Sequence, residues 1–290
     1  LLPDYIAGRT PLRDLWLRRD THYKETRIDF RLQTRVVAVR PEKREILTET
    51  DETITFDRLL IACGGKPKLP LIDGIDHVPV LTLKTLDDAE HILSAAQKGA
   101  SVIVLARDLV GVEITRAFSQ LGMVVTYIEW GDDLLPDILD PATAQELMEN
   151  MRNAGVHLVI GDTVRTINSD GDAIFVRTDS KLFKADLLSA AIGKAPDLDW
   201  LHSSGLMLDN GIIADERLRT NFADIYVAGD VAEIFEPRTR KRKLLFGWKN
   251  AVEQGRLAGE NMCGDMKKFE VTYAPGLKQI FGVDVRHRWK

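Results

Sequence analysis

Between residues 101 and 160 the chain repeats one rhythm that few folds accommodate, an apolar run followed by an amphipathic stretch and another apolar run. SVIVLA (101–106) gives way to a helical pattern over about 109–121, then MVVTYIE (123–129), a second helical pattern over about 141–154, and VHLVI (156–160). Short apolar runs separated by helix-length stretches read as βαβαβ, whose right-handed crossovers produce a parallel sheet covered on both faces. Three short strands near 163–168, 173–178 and 181–184 look antiparallel, with SDGD as the tight turn between the first two, and ADLLSAAIG adds a last apolar strand before Pro196. Upstream, alternating Val37, Val39, Ile46 and Ile54 and the run Leu59 to Ala62 are strand-like. Gly64-Gly65, Pro67 and Pro70 break the pattern after them, and a helical pattern is expected near Leu12 to Lys24.

The first strand-to-helix turn, VIVLARDLVGVE (102–113), is where a dinucleotide-binding fold places its glycine-rich loop. In a GxGxxG frame the first glycine permits the tight turn, the second lets backbone approach the pyrophosphate, and the third lets helix and strand pack closely. Here Ala106 and Asp108 stand in the first two places and only Gly111 keeps its glycine. Gly111 therefore retains the packing role. A side chain at Asp108 would crowd phosphates, and its carboxylate would repel a diphosphate at a helix N-terminus that otherwise attracts anions. Arg107 is expected to turn onto a phosphate, to point to solvent, or to pair with Asp108.

Composition narrows the partners. The 290 residues are 44% hydrophobic, enough for two domains with sizeable cores, and carry a formal charge of −5. That balance offers no general attraction to nucleic acid or to an anionic membrane, and no apolar run approaches the roughly 18 residues of a membrane span. Cys63 and Cys263 form neither a CxxC pair nor a metal cluster, so no metal site is expected and a reducing cytoplasm is the natural setting.

Three stretches together carry a resemblance: TFDRLLIACGGKPKLP (55–70), AAIGKAPDLDWL (190–201) with GIIADERLRTNFADIYVAGDVAE (211–233), and GWKNAVEQGRLAGENMCG (247–264). They resemble the pyridine nucleotide-disulfide oxidoreductases, and within them the branch of NADH-rubredoxin, ferredoxin and NADH-nitrite reductases. The resemblance implies an α/β fold of two Rossmann-like three-layer domains, with FAD and NAD(H) as cofactors. Residues 1–82 and 196–265 would be the two portions of an FAD-binding domain, 83–195 the inserted NAD-binding domain, and 266–290 the start of a C-terminal interface domain. The family's first strand, its FAD-pyrophosphate GxGxxG loop and its first helix would precede Leu1.

On the FAD side the resemblance places Gly229 and Asp230 of IYVAGD at the cofactor, with Asp230 accepting a hydrogen bond from a ribityl hydroxyl. A plain Gly-Asp turn after a strand is the alternative. The helix that begins near Trp248 would aim its N-terminus at the flavin, with Asn250 and Ala251 as backbone contacts. Trp248 would wall the ring or else fill the core. Ala62, Cys63 and Gly64 would lie beneath the cofactor, Cys63 being more readily a small buried hydrophobe than a reactive thiol, and Val36 would lie near the adenine.

On the NAD side Arg107, Asp108, Gly111 and Gly193 would surround the dinucleotide, and Glu113 matches the family's GxE continuation. Glu129 would take hydrogen bonds from the adenosine ribose and disfavour a 2′-phosphate, selecting NADH over NADPH, or else be a solvated strand end. The implied activity passes hydride from NADH to flavin and electrons on to a protein or metal-centre acceptor. The alternatives are a non-catalytic or nucleotide-deficient subunit that keeps the fold, and a disulfide or coenzyme A disulfide reductase. RTRKRK (238–243), read as a loop, would dock a small acidic electron-transfer protein or a reductase subunit, or be a solvated charge run. A second copy of the chain is the remaining expected partner.

Overall fold

The structure is a computed structural model that describes residues 1–237, 239–270 and 277–286. Arg238 of the basic run lies outside the described residues, as do 271–276 and 287–290 of the tail. The chain divides into two compact units: residues 1–18, 67–193 and 273–290 form unit 1, and 19–66 with 194–272 form unit 2. The chain leaves unit 1 after Arg18 and returns to it at Pro67, where proline and glycine break the strand pattern, rather than at residue 82. Residues 1–18 and the hairpin of Leu277–Ile280 with Val283–Arg286 also belong to unit 1.

Unit 1 is built on the expected rhythm. Its elements are β1 (Val80–Leu81), α1 (Leu86–Ala95), β2 (Ser101–Ala106), α2 (Leu109–Gln120), β3 (Val124–Glu129), α3 (Pro141–Asn153), β4 (His157–Ile160) and β5 (Leu187–Ala191). The five strands form one parallel sheet in the order β1-β5-β2-β3-β4. Each helix starts where its sequence supplies a cap: Thr85 and Asp88 make a capping box for α1, and Asp140 accepts from Thr143 N–H ahead of Pro141 in α3.

The period of two along β2 sorts the core into layers. Val102, Val104 and Ala106 pack with Leu109, Val112 and Phe118 of α2 and Leu147 of α3. Ile103 and Leu105 point the other way, onto Ile167, Ile174, Val176 and Phe183. Those residues belong to an antiparallel ladder of Val164–Ser169, Ile174–Thr178 and Leu182–Ala185. The parallel sheet is therefore covered by helices on one face and by a small sheet on the other. Unit 1 is a three-layer α/β domain.

In unit 2, β6 (Ile225–Val227) pairs in parallel with Leu59–Ile61, and a second sheet joins Ile212–Ala214, Ala232–Glu236 and Lys241–Leu244. A third, antiparallel sheet begins with Val36–Arg40. The long helix α4 (Trp248–Met262) contributes Leu257 and Ala258 to a core with Ile61, Ile212, Ile225, Val227 and Val231.

Two expectations change. Leu12 to Lys24 is not one helix but a 3-10 turn, Leu12–Asp14, and a short helix, Asp20–Glu25. Leu12, Trp16 and Leu17 are all exposed, so no core holds an apolar face there to fix a longer helix. The basic run is not a loop: Lys241–Leu244 is a strand antiparallel to Ala232–Glu236, and Glu236 Oε2 accepts from Thr239 N–H at 2.8 Å in the turn.

Candidate functional site

Two clusters of sequence-predicted residues form, one in each unit. In unit 2, β6 ends in Ala228-Gly229-Asp230, where Gly229 takes φ +79°, a left-handed conformation open to glycine at no steric cost. That turn faces the start of α4 across a cleft of about 290 Å³. Its walls are small: Ala62, Gly64, Ala228, Gly229, Gly247, Ala251 and Gly255, with Trp248, Asp230 and Lys194 as the larger groups. Gly247, Ala251 and Gly255 recur every fourth residue and so share one face of the helix. A Cβ on Gly255 would meet nothing within 4 Å.

Asp230 ties the cleft together. Its Oδ1 accepts from Gly247 N–H at 3.3 Å, immediately before α4, and its Oδ2 lies 3.3 Å from Lys194 Nζ. Gly229 N–H donates to Gln254 Oε1 at 2.7 Å, and Gln254 is completely buried, so the turn is clamped to the second turn of α4. Gly247 has no capping side chain, leaving the first-turn N–H groups of α4 without intrahelical partners.

Of the residues expected around a flavin, Ala62, Gly64, Gly229, Asp230, Trp248 and Ala251 line this cleft together. Trp248 is 68% exposed, which removes its reading as a core filler. Cys63 is exposed rather than buried, because the strand Leu59–Ile61 ends before it and the chain turns outward. Asn250 is buried in α4 and does not line the cleft, and the Ala251 N–H is engaged inside the helix with Gly247 O at 3.0 Å. Val36 opens its strand, half-buried, beside a bulge at Val36/Ala38. Lys194, Gly247 and Gly255 were not anticipated. The four-residue spacing of small residues from 247 was the available signal for two of them.

The second cluster sits at the C-terminal ends of β2 and β3 in unit 1. Gly111 performs the packing role of a third glycine: a Cβ there would lie 2.2 Å from Ala106 Cβ. Asp108 is the N-cap of α2, its Oδ1 accepting from Gly111 N–H at 3.0 Å. Of the three courses expected for Arg107, the structure matches exposure to solvent: the side chain is exposed, with its guanidinium 5.5 Å from the centroid of the Trp130 ring. Glu113 is buried on α2, and Gly193 follows β5 at φ +106°.

Glu129 departs furthest from expectation. It is completely buried, not a solvated strand end, because the segment after β3 returns over it. Leu135 N–H reaches its two carboxylate oxygens at 3.3 and 3.4 Å, and Tyr127 OH donates at 3.3 Å. Burial pushes its carboxyl from an ordinary 4.5 up to about 7, against the opposing pull of those hydrogen bonds and of Arg107.

With these geometries in place, known proteins supply the kinship. The family model of pyridine nucleotide-disulphide oxidoreductases matches residues 6–255. This chain belongs to that family. Among its relatives, the epsilon subunit of NADH-dependent phenylglyoxylate dehydrogenase from Aromatoleum evansii is 28% identical over 97% of this chain and 65% of its own length. An NAD-dependent persulfide reductase from A. fulgidus superposes with a TM-score of 0.88 at 28% identity, covering 96% of this chain and 54% of that one. The water-forming NADH oxidase from Lactobacillus brevis, bound to NADH, gives 0.87 at 25% identity, covering 96% and 64%. The chain thus spans less than two thirds of the length of each of these proteins. Among the described residues no helix is long and apolar enough to cross a membrane.

Proposed function

We propose that the chain is part of an FAD-dependent pyridine nucleotide oxidoreductase in which hydride from NADH enters a flavin and electrons leave to a protein or metal-centre acceptor. The observation that carries this reading is the unit 2 cleft, walled by glycine and alanine and joined by Asp230 to the start of α4. Its volume of about 290 Å³ is close to the lower bound, about 300 Å³, of organic ligand sites. The open space beside Gly255 is where a flat ring could approach the helix backbone.

The residues present fit a flavin. Asp230 offers a carboxylate to a ribityl hydroxyl, and Lys194 and the first-turn N–H groups of α4 favour negative charge in the cleft. Trp248, at the rim of the cleft, would wall one side of the ring. Bound there, FAD would supply the two-electron chemistry, while the protein supplies position and electrostatics. Membership of a family whose relatives include NADH-dependent enzymes supports NADH as the donor. The residues of the unit 1 loop, as they stand, do not fit a diphosphate, because Asp108 holds the head of α2. That feature favours a second reading, a flavin-bearing subunit that does not exchange nucleotide.

The exposed Arg240, Lys241 and Arg242 on a hairpin of unit 2 support docking of an acidic electron-transfer partner. Anaerobic addition of NADH to the flavin-loaded full-length protein tests the reading. Bleaching of the absorbance near 450 nm is expected; a flavin that dithionite reduces but NADH does not would select the second reading.

A further inference from the structure

In a strand-turn-helix dinucleotide site, the phosphates are held by backbone N–H groups that the turn and the first helical turn leave open. In unit 1 two N–H groups of this turn are engaged by the chain itself. Arg107 N–H is bonded to Ala191 O of the neighbouring strand at 2.9 Å, and Gly111 N–H to Asp108 Oδ1 at 3.0 Å. Asp108 takes an extended backbone, φ −142° and ψ 173°, as an N-cap does, so the turn stands without a glycine in the middle place. The carboxylate also supplies the negative charge that the helix dipole would otherwise draw from a ligand.

The side chains around the loop agree with this. Arg107, the only cation in the turn, lies over Trp130. Glu129, at the end of the next strand, is wholly buried and holds Leu135 N–H and Tyr127 OH. A carboxylate kept that way cannot receive ribose hydroxyls without unfolding the segment above it. Two carboxylates that would face a dinucleotide, Asp108 and Glu129, are thus satisfied internally, while the exposed Arg107 rests against Trp130.

We infer that the loop Ala106–Gly111 is a self-capped nucleotide site, in which the Asp108 carboxylate holds the place of a diphosphate and a nicotinamide dinucleotide enters only when that cap opens. This deepens the reading of unit 1 as the NADH-docking domain and rests on it. It makes nucleotide affinity, and not flavin binding, the property that Asp108 controls. Asp108→Asn keeps a capping acceptor and removes the charge, whereas Asp108→Gly removes both.

The test is calorimetric titration of the full-length protein with ADP-ribose, which carries the diphosphate and both riboses but no nicotinamide, so flavin chemistry does not enter. The wild type is expected to bind only in the millimolar range, Asp108→Gly about tenfold tighter or better, and Asp108→Asn in between. Micromolar binding by the wild type, or no tightening in either variant, would overturn the inference. Asp108→Asn decides the matter alone should the glycine variant not fold. Absorbance near 450 nm on the same samples reports flavin independently. A protein without flavin whose variants still gain ADP-ribose affinity would sink the proposed function and leave the self-capped loop standing.

Discussion

Burial of Glu129 sets a measurable pH dependence on unit 1. Its carboxyl is raised from 4.5 to about 7 in the folded chain, chiefly by desolvation. A raised carboxyl means that the folded state holds the proton more tightly than the unfolded one. Its contribution is therefore fully favourable below about pH 4.5, declines as the pH climbs towards 7, and is lost above that. Each tenfold difference in proton affinity is worth about 1.4 kcal/mol, so the window removes on the order of 3 kcal/mol of stability. Glu129→Gln keeps the shape and an acceptor for Leu135 N–H but cannot ionise. The variant should match the wild type near pH 5 and exceed it by about 3 kcal/mol near pH 8. Native-state hydrogen exchange of the β2 amides, Ser101–Ala106, reads unit 1 without interference from unit 2. A stability gap that stays constant from pH 5 to 8 would show that Glu129 does not titrate as its burial requires.

Other expectations concern separate parts of the molecule. Gly111→Ala gains up to about 1 kcal/mol of helix propensity but drives a Cβ to 2.2 Å from that of Ala106. Urea unfolding should show a net loss of about 1–3 kcal/mol, largely recovered in the Ala106→Gly, Gly111→Ala double variant; a neutral single variant would refute the close packing. Reversing Arg240 and Lys241 to Glu should slow electron delivery to an acidic ferredoxin about tenfold at low salt and much less at high salt. Equal rates at both ionic strengths would remove the hairpin from the docking surface.

The layered architecture of unit 1 was legible because period and burial coincide there. The unbroken apolar run in SVIVLA reports that both faces of β2 are covered, and Asp140-Pro141 marks a helix start on its own. What covers a face is not a local property. Nothing near Glu129 announces that Leu135 will fold back over it, and although Gly64-Gly65 mark the end of the strand, nothing near Cys63 announces that its side chain stays exposed. Asp108 was legible as a disturbance of the loop, but its bond to Gly111 N–H emerged only with the helix in place. Lys194 gave no signal at all, since its partner Asp230 lies 36 residues away in sequence. The Leu12 to Lys24 stretch shows the reverse error, apolar residues at helical spacing that find no core to face.

The central claim is that the cleft between Gly229-Asp230 and the start of α4 holds a flavin. Equilibrium dialysis of the full-length protein against FAD, with Asp230→Ala beside the wild type, tests it most directly. Absorbance near 450 nm should remain with the wild type, and the variant, which loses the links to Gly247 N–H and Lys194, should bind at least about tenfold more weakly. Flavin that partitions freely from the wild type, or that both proteins retain equally, would contradict the account.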